Sequence, residues 1–146
     1  MFIEEQDRVP LALALSLYGT PTQTMEGFTL DKSVVRAASW TNSTTQIIGI
    51  RGTYIGAKYA VLDESDDIMI ARSDHCDLSI IKFAEPLINP DLVQIFVGHS
   101  LGGTAALCLT TKYPTSRGTS KNLKTLGIGF NPGAPPTGLS GEITVL

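Results

Sequence analysis

Apolar residues in this chain gather into short runs divided by polar, proline-rich and glycine-rich stretches. Gln46-Ile47-Ile48-Gly49-Ile50 and Leu92-Val93-Gln94-Ile95-Phe96-Val97 are nearly continuous apolar runs with polar flanks. That is the pattern of strands covered on both faces. Residues 123–130 read as a third strand, ending at the turn Asn131-Pro132-Gly133. Residues 101–113 predict a helix with Lys112 in its last turn and Pro114 as its stop. Residues 11–18, rich in Ala and Leu, predict another, opened by Pro10 and closed by Gly19. Over 78–87 a helical period places Leu78, Ile81, Ala84 and Leu87 on one face, limited by Pro86 and the turn Asn89-Pro90.

Other stretches carry weaker patterns. Residues 20–32, with Pro21, Gly27 and several threonines, read as loop. Residues 33–40 fit a strand or a short helix anchored by Trp40. Residues 54–62 are ambiguous, 63–67 form an acidic turn, 68–72 fit a short strand or a loop end, and 115–122 form a polar loop. The Pro/Gly-rich tail 134–146 shows no clear element. Buried strands alternating with helices predict an α/β fold, a mostly parallel sheet flanked by helices, in a single domain over 1–146. About three clear strands are few for a self-contained sheet. The expectation is therefore a sheet truncated at its C-terminal strands, its open edge covered by a protein partner or by self-association.

Composition narrows the function classes. The net charge is −3 and no basic stripe appears, so nucleic acid is not an expected partner. No apolar run approaches the length of a membrane span. The two cysteines, Cys76 and Cys108, cannot make a disulfide-rich scaffold, and Cys108 reads as a small core residue in the helix after residue 100. Glu4, Glu5 and Asp7 precede Leu11-Ala12-Leu13-Ala14-Leu15 where a signal peptide would be positive, so an intracellular or assembly-bound location is expected. The 11–15 run reads as core rather than a lid or membrane anchor. On that basis the sequon Asn42-Ser43-Thr44 reads as chance.

The chemistry concentrates at Gly98-His99-Ser100-Leu101-Gly102-Gly103, which fits G-x-S-x-G between a predicted strand and a predicted helix. A nucleophile elbow needs that context, with the serine on a strained turn and glycines where strand and helix approach closely. Arg51-Gly52-Thr53 follows an earlier apolar strand. Together the two motifs resemble the class 3 (fungal-type) lipase family of the α/β-hydrolase fold. The turn Asn131-Pro132-Gly133 is similar to the family's turn after its sixth strand, and 11–18 to its N-terminal helix. The resemblance covers most of the chain and corresponds to the first half to two-thirds of a family catalytic domain. It implies a lipase or carboxylesterase of lipid metabolism with Ser100 as nucleophile. Thr53 and the backbone N–H of Leu101 would line the oxyanion hole. Gly98, His99, Gly102, Arg51 and Gly52 would support them. It implies no metal and no organic cofactor, and a lipid or other ester as substrate.

The departure from the family pattern is a missing base. After Ser100 the chain has no histidine, no aspartate and one acid, Glu142. The family's acid and histidine follow the serine, and a serine without a base is a weak nucleophile. His99 neighbours Ser100 on a tight turn that directs its side chain elsewhere. His75, in Asp74-His75-Cys76-Asp77, stands in a segment that fits no zinc spacing and reads as a solvated loop. Asp67, before Ile68-Met69-Ile70, matches a structural aspartate of the family. Gly127-Ile128-Gly129 lacks the third glycine and the helix of a nucleotide fingerprint. The alternative expectation is a catalytically inactive structural or interaction protein derived from a lipase-like fold.

Overall fold

The computed structural model describes residues 4–52, 80–115, 124–130, 139 and 141–146. Its centre is one seven-stranded sheet in the order β1-β2-β3-β4-β5-β6-β7. The strands are β1 (Thr24–Met25), β2 (Phe28–Ser33), β3 (Ala37–Thr41), β4 (Thr45–Ile50), β5 (Val93–His99), β6 (Leu126–Phe130) and β7 (Glu142–Val145). Among the described residues the helices are α1 (Glu5–Leu15), α2 (Ile81–Ala84) and α3 (Leu101–Lys112), with 3-10 turns at Ser16–Tyr18 and Glu85–Leu87.

The α/β arrangement is as expected, but the sheet is mixed. β1 to β4 pair antiparallel, and β4 to β7 pair parallel. The antiparallel half lies largely where loop was expected. Residues 24–33 form a hairpin closed by Glu26 and Gly27, both at positive φ. Its longer strand β2, between β1 and β3, is mostly exposed, so it lacks the apolar run that marks a buried strand. Residues 37–41 are strand, not helix. Trp40 is fully buried there, and its Nε1–H donates to the Thr22 carbonyl at 2.7 Å. The tail is also corrected, because Glu142–Val145 pairs with β6 as β7.

Alternation along the strands separates two cores. Ile47, Val97 and Ile128 face α1 and pack with Leu11, Leu13, Ala14 and Trp40. Ile48, Ile50 and Phe96 face the other way, onto Ile81 and Ala84 of α2 and Leu101, Ala105 and Leu109 of α3. Cys108 is buried in this second core, as expected, and is also disulfide-bonded. The chain's other cysteine, Cys76, lies outside the described residues. Helix α1 begins five residues ahead of Pro10 rather than at it, so Pro10 sits inside the helix. Of the helix expected over 78–87, residues 78 and 79 lie outside the described residues, and the rest holds one α-turn continued as a 3-10 turn, with Pro86 denying a longer helix an N–H.

Candidate active site

Strand β5 runs out at His99, Ser100 turns, and α3 begins at Leu101. Ser100 takes φ 58 and ψ −128, a conformation that costs a non-glycine residue about 1–3 kcal/mol. The turn is held from three sides. Ser100 N–H donates to the Phe130 carbonyl at the end of β6 (3.0 Å), and the Ser100 carbonyl accepts from Gly103 N–H (2.9 Å) and Thr104 N–H (3.2 Å).

Two glycines make this geometry possible. A Cβ on Gly98 would overlap the Gly102 carbonyl, and a Cβ on Gly102 would overlap the Ile50 carbonyl at the end of β4. Strand, helix and neighbouring strand therefore meet backbone to backbone. Arg51 and Gly52 continue from β4 into this contact. Arg51 is buried, and its N–H donates to the Arg36 carbonyl at 2.8 Å. A Cβ on Gly52 would stand 3.2 Å from Ser100 Cβ and would collide with the His99 carbonyl and the Tyr18 hydroxyl.

The expected residues Arg51, Gly52, Gly98, His99, Ser100, Leu101 and Gly102 thus come together at the C-terminal ends of β4 and β5. Thr53 lies outside the described residues, as do His75, Asp67 and the Asn131-Pro132-Gly133 turn. The Ser100 hydroxyl makes no hydrogen bond to a described residue, and Ser100 is half-buried. Leu101 N–H, in the first turn of α3, likewise has no partner among the described residues. An unbonded amide at a helix N-terminus is suited to a negative charge.

His99 is directed away from Ser100, onto the α1 face. Its Nδ1 lies 2.9 Å from the Tyr18 hydroxyl. Its ring packs edge-on against Tyr18 (5.7 Å between centroids) and tilted against Phe130 (5.5 Å). Tyr18 and Phe130 are the two site residues that no motif announces. Tyr18 stands 81 positions from its partner His99, and nothing in local spacing connects them. Glu142, the one acid after Ser100, starts β7 opposite Leu126 at the far end of the sheet. It pairs with Lys124 at 3.3 Å and is out of reach of Ser100.

Among the described residues, no group of three His, Cys, Asp or Glu is placed to hold a metal ion. No helix there is long and apolar enough to cross a membrane. Compared with protein-family models, curated proteins and solved structures, the chain matches none.

Proposed function

We propose that this chain is the nucleophile-bearing part of a serine hydrolase of the lipase or carboxylesterase type, acting on glycerolipids or other carboxylic esters. The observation that carries the reading is Ser100 at positive φ between β5 and α3, with its hydroxyl unbonded among the described residues and the Leu101 N–H beside it. In this reading Ser100 Oγ attacks the ester carbonyl carbon and forms an acyl-enzyme, and the alcohol leaves with the proton. Leu101 N–H and the residue after Gly52, Thr53, hold the oxyanion. Losing one such donor typically costs a factor of about 10²–10³. His99 supports the turn through Tyr18 rather than taking the proton. The base and its acid come from another chain or from further sequence.

The second reading is an inactive structural or interaction protein that keeps the turn without the chemistry. It is favoured by His99, whose Nδ1 lies at 2.9 Å from the Tyr18 hydroxyl rather than on Ser100. A triad enzyme lacking a member still retains roughly 10³–10⁴ over water, too little for a working lipase.

A fluorophosphonate probe separates the two, because it labels only an activated serine. Intact mass should show stoichiometric labelling in the native assembly and none in Ser100→Ala. Folded protein that stays unlabelled in that assembly overturns the hydrolase reading and leaves the second.

A further inference from the structure

We propose that Asn42 accepts an N-linked glycan, and Cys108 keeps its disulfide, when the chain folds in an oxidising, glycosylating compartment. Two separate observations lead there, and neither depends on the hydrolase reading.

The first is how the sequon is presented. Asn42-Ser43-Thr44 is the connection between β3 and β4, and all three residues are exposed. Asn42 N–H donates to the Thr45 carbonyl at 3.0 Å. Its side-chain Oδ1 accepts from Thr44 N–H (2.9 Å), Thr45 N–H (2.8 Å) and the Thr44 hydroxyl (3.4 Å). The carboxamide is therefore held by its oxygen alone. Its Nδ2, the atom that receives the sugar, has no partner among the described residues. Asn-x-Thr is an acceptor only where the folded surface tolerates a bulky polar group. This turn does, because it lies at the N-terminal end of β4, next to Val93 at the start of β5. Ser100 follows the other end of β5, seven positions or about 23 Å from Val93. A glycan there would cover neither packed face of the sheet and would leave the Ser100 turn open.

The second is the state of Cys108. It is buried in the α2–α3 core and disulfide-bonded. Stable structural disulfides belong to oxidising compartments and are rare in the cytosol. The sequon, read by itself as chance, and the expected intracellular location both change meaning beside that bond.

The transfer balances with a polyprenyl-pyrophosphate-linked oligosaccharide as co-reactant. A bond forms between Asn42 Nδ2 and the sugar C1, and the C1–oxygen bond to the pyrophosphate breaks. Polyprenyl pyrophosphate leaves with the electron pair, and the Nδ2 proton goes to the transferase's base.

The test is to secrete the full chain from a eukaryotic host behind an added signal peptide and map peptides before and after peptide N-glycosidase. The expected result is a mass loss on treatment, with Asn42 converted to aspartate. Thr44→Ser should keep the modification. Thr44→Ala, which removes only the weakest bond to Oδ1, should abolish it, as should Asn42→Gln. Thiol labelling of the same secreted protein should leave Cys108 unreacted unless a reductant is added. A secreted chain with bare Asn42, or one with Cys108 reactive as a free thiol, overturns the proposal.

Discussion

The two ends of this sheet are built by opposite rules. At the N-terminal ends of β4 and β5, two buried glutamines tie loops to the sheet. Gln46 Nε2 donates to Ser39 Oγ (2.8 Å) and to the Leu87 carbonyl (2.7 Å), while its Oε1 accepts from Asn89 N–H (2.8 Å). Gln94 Nε2 donates to the Asn89 and Leu92 carbonyls. Nearby, Glu85 Oε2 accepts from Tyr113 (2.6 Å) and Lys112 (2.8 Å). At the C-terminal ends the contacts are between bare backbones, Ser100 is strained, and its hydroxyl and the Leu101 N–H bond to none of the described residues. At one end the amides of Gln46 and Gln94 hold loops to the sheet. The other holds hydrogen-bonding capacity in reserve, as expected at the carboxyl ends of parallel strands, where α/β sheets bind ligands. Stability and reactivity should therefore separate by position along the same strands.

The largest test of that division is Gly102→Ala. The new Cβ meets the Ile50 carbonyl backbone, which no side-chain rotation can relieve. We expect a loss of about 3 kcal/mol or more in denaturant unfolding, or no soluble protein. A near-neutral result would mean that β4 and α3 do not meet backbone to backbone.

Next comes Gln46→Ala at the opposite end. It strands the buried Leu87 carbonyl and removes the acceptor of the Asn89 N–H, and should cost about 1–3 kcal/mol. Fluorophosphonate labelling of the folded fraction should not change. A parallel fall in labelling would show that the two ends are coupled.

Ser100→Gly should move stability the other way. It relieves the positive-φ cost while adding some chain entropy to the unfolded state, for a net gain of about 1 kcal/mol. Any labelling vanishes with the hydroxyl. A destabilised variant would remove strain from the account of this turn.

The smallest effect is the acid limb of stability. Hydrogen bonds from Lys112 and then Tyr113 hold the Glu85 carboxyl below its ordinary value of 4.5. A lowered carboxylate stabilises the fold above that ordinary value and loses the contribution as pH falls through its folded value. Asp7 runs opposite: burial, with Glu4 nearby, raises its pKa, so its carboxylate opposes folding at neutral pH and ceases to do so on acidification. Glu85→Gln should make the parent's advantage at pH 7 disappear on titration below 4.5, while Asp7→Asn stabilises at pH 7 and not in acid. Urea midpoints across that range read both signs, and identical pH profiles for parent and variants would refute the assignments.

Much of the candidate site is legible because its determinants are local. Gly98, Ser100, Gly102 and the flanking runs lie within one strand–turn–helix, so spacing alone announces them. The strand expected over 92–97 is found as Val93–His99, and the helix expected over 101–113 as Leu101–Lys112. Arg51-Gly52 is legible as the end of an apolar strand, but its contact with Ser100 is not. Tyr18 and Phe130 are not legible at all, since they reach His99 through the packing of α1 and the pairing of β6.

The same division runs through the fold. By itself the sequence determines the two-sided strands β4 and β5, helix α3 and the glycine-lined turn between them, because apolar runs and small residues act over a few positions. Only the tertiary structure decides that Phe28–Ser33 is a strand, that Ala37–Thr41 extends rather than coils, and that Glu142–Val145 closes onto β6. Those segments are short or mostly exposed, or mix small and polar residues with one aromatic, so no continuous apolar run or clean alternation marks them. Their strand state comes from hydrogen bonds that a neighbour already in place offers them, and no local pattern encodes that neighbour.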